Sequence, residues 1–179
     1  MTATGKTYGD ALYDLAAEEA LCDELLEQVK LLARLFRENP QYPALLTSPD
    51  IPREERLRLI GEALTGQEHP YLVNLLCLLC EGGRLPAFAG CAARYEQRWL
   101  EDHNTVRGRV SSAVPLTETQ LTALAARMGE TLGKHVLLEG TVYPSLIGGI
   151  RVEIDGRVWD GSLRGRLEEL TGLLRGAVL

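Results

Sequence analysis

The apolar residues of this 179-residue chain change their period near residue 105, and that change limits the folds open to it. Before it they recur every three or four positions. Leu21, Leu25, Val29, Leu32 and Phe36 advance in steps of four, four, three and four, the stripe of an amphipathic helix. Tyr8, Leu12 and Leu15 recur with the same spacing in a helix ahead of it. The segment "NPQYP" at 39–43 breaks the second helix, because proline removes a donor and restrains the residue before it. A third helix starts in "SPDIPREERLRLIGEAL", with Asp50 placed to cap it, Pro52 in its first turn, and Glu54 and Glu55 at its positive end. A fourth covers about 68–81 and ends at Gly82-Gly83. A fifth runs from about Arg84 to Asp102, with Phe88, Cys91, Tyr95 and Trp99 as its apolar side. Short helices joined by tight loops make a bundle.

Beyond 105 strands enter. "VRGRVSSAV" and "KHVLLEGTVY" suit strands. Between them lies a helix with a capping box, Thr117 answered by Gln120, and a core stripe of Leu121, Leu124, Ala125, Met128 and Leu132. In the glycine-rich stretch that follows, Ile150, Val152 and Ile154 share one face, and Asp155-Gly156 is a preferred pair for a two-residue hairpin turn. Folding there sets Trp159 beside Val152 and Arg151 opposite Asp160. Gly148 and Gly149 mark a bulge or a close backbone approach. A last helix starts at about Leu163, with Leu167, Leu170 and Leu174 facing inward. The expected fold is α+β in two domains: an all-α helical bundle over 1–105, and a smaller mixed α/β domain with a β-hairpin over 106–179.

Charge excludes one class of partner. Residues 1–105 hold 10 Lys and Arg against 17 Asp and Glu, net −7, and the remainder holds 9 against 8, net +1, giving −6 overall. A nucleic-acid binder needs a basic face, and this composition offers none. Asp10, Asp14, Glu18, Glu19, Asp23, Glu24 and Glu27 form either a solvated helix face or a surface that attracts a basic segment. The longest apolar run, Tyr71 to Cys80, is about half of the roughly 20 residues that a membrane-spanning helix needs. The N-terminus "MTATGKTYGD" lacks the features of a signal or transit peptide, so a protein that is cytosolic, or presented on the cytosolic side of something else, is expected.

Candidate chemistry fails on spacing. Gly148-Gly149 leads into strand alternation and not into a helix, as a phosphate loop would. "GETLGKH" has three residues between its glycines where a P-loop has four, and His135 where it has Ser or Thr. Cys77 and Cys80 form a C-x-x-C inside "NLLCLLC", the interior of an apolar helix, with Cys22 and Cys91 remote, so all four read as small buried hydrophobes. His69, His103 and His135 are scattered, and Ser162 lacks a nucleophile elbow and suits a helix cap.

With the residues laid out, the chain resembles the delta subunit of bacterial F-type ATP synthases, the family that includes the mitochondrial oligomycin-sensitivity-conferring protein. The resemblance covers nearly the whole length. It is carried by "YGDALYDLA", "LLTSPDIPREERLRLIGEAL", "LLCEGGRL", "VSSAVPLTETQ" and above all "PSLIGGIRVEIDGRVWDGSLRGRLEEL". Two positions depart from it: Tyr143 stands where an acidic residue is common, and Gly9 where alanine is usual, a change expected to cost helix stability.

The resemblance implies a non-catalytic stator subunit with no cofactor, metal or catalytic residue. The bundle would hold the N-terminal helix of the alpha subunit on top of the catalytic head, and the C-terminal domain would engage the distal end of the b-subunit stalk. Among the other ATP synthase subunits it would meet the membrane only through the complex, on the cytoplasmic face. By resemblance the alpha helix lies between the first and fifth helices, on Tyr8, Ala11, Leu12, Leu15, Phe88, Tyr95 and Trp99. The same residues also suit closing the bundle's own core. Arg164 and Arg166 would face the stalk or form a solvated helix end. From the residues alone, an adaptor for another assembly and a thiol oxidoreductase using Cys77 and Cys80 stay open.

Overall fold

Leu25, Val29 and Leu32 lie buried along one side of a helix, Cys22–Glu38, and the rest of the N-terminal part of the chain is arranged around that side. The computed structural model describes residues 2–48, 50–64 and 68–162. Its elements are α1 (Ala3–Glu18), α2 (Cys22–Glu38), α3 (Gln41–Thr47), α4 (Arg53–Leu64), α5 (Pro70–Glu81), α6 (Phe88–Asp102), β1 (Thr105–Ser112), α7 (Glu118–Leu132), β2 (His135–Val142), β3 (Ile150–Ile154) and β4 (Arg157–Asp160). The chain divides between Trp99 and Leu100 into two compact units. The architecture is the expected one: an N-terminal helical bundle, then a smaller mixed unit containing a hairpin. The expected last helix, with Leu167, Leu170 and Leu174, lies outside the described residues.

In the first unit, α1 begins at Thr2, whose hydroxyl accepts from the Gly5 N–H (3.2 Å). Its buried positions are Gly5, Gly9, Leu12, Tyr13 and Ala16. The stripe read from sequence, Tyr8-Leu12-Leu15, is therefore offset from the true inner face, and Leu15 is 43% exposed. Glycines carry no side chain to register in a hydrophobic pattern, yet here they face inward because α6 approaches closely. A Cβ on Gly9 would lie 2.7 Å from both the Arg94 Cβ and the Cys91 carbonyl oxygen, and one on Gly5 would lie 3.0 Å from the Gly90 backbone. Gly9 is thus a condition of the packing as well as a cost to the helix.

Two further local readings change. "NPQYP" does end α2, but it also starts α3: Pro40 is its N-cap and Pro43 falls in its first turn, where a missing N–H forfeits no helical bond. Asp50 does not cap α4. Its carboxylate accepts from the Ser48 hydroxyl (3.1 Å), while the Pro52 carbonyl takes the first helical bond, from Arg56 N–H (3.1 Å). Tertiary bonds then tie the elements together. His69 caps α5 through its ring nitrogen, and its own N–H donates to Gln28 of α2 (2.8 Å). The α5 helix ends at Gly82-Gly83, with the Arg84 N–H returning to the Leu79 carbonyl (2.7 Å).

In the second unit the sheet order is β2-β1-β3-β4. Strands β1 and β2 are parallel, joined through α7, and β1-β3 and β3-β4 are antiparallel. Thr117 and Gln120 form the capping box, and Leu121, Leu124, Ala125, Met128 and Leu132 pack on Val110, Val136, Val152 and Ile154. The hairpin register is the one read from sequence, Arg151 with Asp160 and Val152 with Trp159. Asp155 and Gly156 both take positive φ, 52° and 76°, as that turn requires. Gly149 is a close approach: its φ is +81°, and a Cβ there would stand 2.8 Å from Ser162 Cα.

Two substitutions test this packing. Ala exceeds Gly in helix propensity by about 1 kcal/mol, so Gly9→Ala would stabilise an isolated α1. In this bundle it is expected to destabilise by about 1–3 kcal/mol, the usual cost of overpacking, seen as a lower urea midpoint. Gly149→Ala is expected to lower the stability of the second unit by a similar amount.

Candidate partner-binding surfaces

The seven residues assigned to a helix-binding groove separate into two groups. Leu12, Phe88 and Tyr95 are buried in the bundle's core. Tyr95 packs edge-on to Tyr13 (5.1 Å between ring centres), and its hydroxyl donates to the Cys22 carbonyl (3.1 Å), which explains how a phenol is held in an apolar interior. Burial raises that phenol well above its ordinary range. Phe88 meets Phe36 edge-on at 5.6 Å. These three side chains close the bundle. Ala11 and Leu15 are exposed and Tyr8 is half-buried, together on one side of α1. Trp99, also half-buried, donates its indole N–H to Asp23 at the start of α2 (2.6 Å). Arg164 and Arg166 lie outside the described residues.

The seam between α1 and α6 carries an ion-pair network that the sequence reading did not single out. Asp10 accepts from Arg94 Nε (2.6 Å) and from Arg98 (3.2 Å), and Arg98 also reaches Asp14 (2.9 Å). The Arg98 guanidinium lies 4.8 Å over the Tyr13 ring. The signal was present as Asp10/Asp14 and Arg94/Arg98, each pair one helical turn apart. Nothing local says that the two pairs meet. Asp10 and Asp14 are accordingly matched within the bundle, so the acidic N-terminal surface is weaker than its composition implies. Burial acts to raise the Asp10 carboxyl, but the hydrogen bonds and charges of Arg94 and Arg98 outweigh it, and the group lies below its ordinary range.

Cys77 and Cys80 sit in α5 with free thiols. Burial raises both, and the Cys80 thiol donates to the Leu46 carbonyl (3.2 Å). Burial pushes Cys91 up to about 11. Thiols so raised are poor nucleophiles. Among the described residues no helix is long and apolar enough to cross a membrane.

A bundle followed by a four-stranded mixed sheet, without an activated nucleophile among these cysteines, agrees with the match found for the chain. Residues 4–174 match the family model described as "ATP synthase delta (OSCP) subunit". The chain belongs to that family. The protein named ATP synthase subunit delta from Geobacillus sp. strain WCH70 is 35% identical over 172 residues, covering 96% of each chain. That of Acidiphilium cryptum is 34% identical over 171 residues, covering 95% of this chain and 87% of its own. In fold, the chain is similar to one in the Toxoplasma gondii mitochondrial ATP synthase hexamer, with a TM-score of 0.67 at 17% identity over 97% of this chain and 98% of the other.

Two measurements probe these features of the bundle. Because the folded Asp10 carboxyl titrates below its unfolded range, its contribution is complete above about pH 4, the unfolded value, and is lost as pH falls through the lower folded value. Asp10→Asn is expected to cost about 1 kcal/mol at pH 7 and to flatten the acid loss of stability, as read by urea titration at several pH values. Cys80 and Cys91 are expected to resist a disulfide reagent at pH 8 until the protein is unfolded, when all four thiols react.

Proposed function

We propose that this chain is a non-catalytic peripheral-stalk subunit of an F-type ATP synthase, tying the catalytic head to the membrane-anchored stator. The observation that carries this is family membership over residues 4–174. The rotor's torque would turn the head with it unless the head were held, and a holding subunit needs two separate binding surfaces and no catalytic site. Two compact units fit that need. The head contact is assigned to residues 1–105 and the contact with the distal end of the b subunit to residues 106–179. The subunit would be held peripherally at the cytoplasmic face of the membrane through the complex.

For the head contact the occupant is the N-terminal helix of the alpha subunit. Helices dock by laying an apolar face on apolar anchors. Leu15, Tyr8 and Ala11 supply these on α1, and Trp99 on α6. Leu12, Phe88 and Tyr95 act one layer deeper, holding α1 and α6 at the spacing the docked helix meets.

Calorimetric titration of the full chain with a peptide of the cognate alpha N-terminal helix is expected to give one-to-one binding. Leu15→Asp is expected to weaken it at least tenfold, about 1.4 kcal/mol, with the far-ultraviolet circular dichroism unchanged. Leu12→Asp is expected to unfold the bundle. Unaltered affinity in Leu15→Asp would move the contact off this side of α1.

A further inference from the structure

A second apolar surface of the bundle lies on other helices. Between α2, α3, α4 and α5 there is a cavity of about 460 Å³ with Ile60 and Leu76 in its lining. Its outer wall is Leu31, Leu35, Tyr42 and Leu45, each 40 to 59% exposed. A contiguous apolar patch of this kind marks an interaction surface, where scattered single side chains would not. Leu31 and Leu35 stand one helical turn apart, the spacing that an incoming helix's own side chains match.

The lining also holds one acid. Glu68 contributes a carboxylate whose Oε2 is sealed from solvent and has no hydrogen-bond partner among the described residues. Burial raises this carboxyl above its ordinary range, with no neighbouring charge contributing to the shift. An unmatched buried acceptor costs about 1–3 kcal/mol, more when charged. Native proteins keep few such groups.

We propose that this groove is a docking site for an amphipathic helix of another polypeptide, one that sets apolar side chains on Leu31, Leu35 and Leu45 and a single Lys or Arg against Glu68. The apolar wall supplies affinity, and the half-buried carboxylate favours a helix that brings it a cation. A second copy of this chain is disfavoured as the occupant, because its net charge of −6 repels its like. The inference stands on this groove and does not depend on the assignment of the α1 contact.

The test uses the isotope-labelled full chain and a stapled 16-residue helical peptide with leucines at i, i+4, i+7 and i+11 and one lysine. A second peptide carries norleucine in place of the lysine. The lysine peptide is expected to bind saturably, with amide shifts concentrated at Leu31, Leu35 and Leu45, and at least tenfold more tightly than the norleucine peptide. Glu68→Gln is expected to abolish that preference. Leu31→Asp and Leu45→Asp, at exposed positions, are expected to abolish binding of both peptides with circular dichroism unchanged. Absence of saturable binding, shifts centred on α1 or the sheet, equal affinity for the two peptides, or a preference that survives Glu68→Gln would each overturn the proposal.

Discussion

The bundle depends on how closely α1 and α6 approach each other. Gly5 and Gly9 present bare backbone to Gly90 and Cys91, and only this absence of side chains lets the helices meet at that distance. The approach brings Tyr13 onto Tyr95 and sets Asp10 within reach of both Arg94 and Arg98. At Asp10 the hydrogen bonds and charges of the two guanidinium groups together outweigh the desolvation that the carboxylate suffers. The first helix of the bundle is thereby joined to the last.

That closure changes the meaning of the apolar residues on the inner face. Leu12, Phe88 and Tyr95 were assigned to a groove by resemblance, and the bundle consumes their apolar surface internally. The apolar area left in water on the bundle includes the flank of α1 around Leu15 and the cavity bounded by Leu31, Leu35 and Leu45. That exposed apolar area is the physical ground of the two contacts proposed above. The acidic residues divide similarly. Asp10 and Asp14 are matched by arginines of α6, and Glu68 stands beside an apolar wall.

The second unit follows a different rule. Its parallel β1-β2 pair needs a crossover, and α7 provides it while covering the apolar face of the sheet. The antiparallel β3-β4 hairpin needs only Asp155-Gly156. Gly149 packs its backbone against Ser162 where a side chain would not fit, which pins the end of β4 beside the start of β3.

Features that depend on near neighbours in the chain were legible in the sequence. The α2 stripe, the Thr117–Gln120 box, the Asp155-Gly156 turn and the pairing of Val152 with Trp159 each follow from periods and turn chemistry that act over a few residues. So was the family, since the motifs that carry the resemblance are short strings along the chain. Features that depend on distant segments were not legible. The inward face of α1 is set by Gly5 and Gly9, which no hydrophobic pattern counts, and Asp10 finds Arg94 across more than eighty residues of sequence. Whether an apolar side chain closes the core or lines an open surface was also decided by tertiary structure, because Leu12 and Leu15 are alike in type and period. They differ in that the bundle's core encloses one of them and leaves the other partly in water.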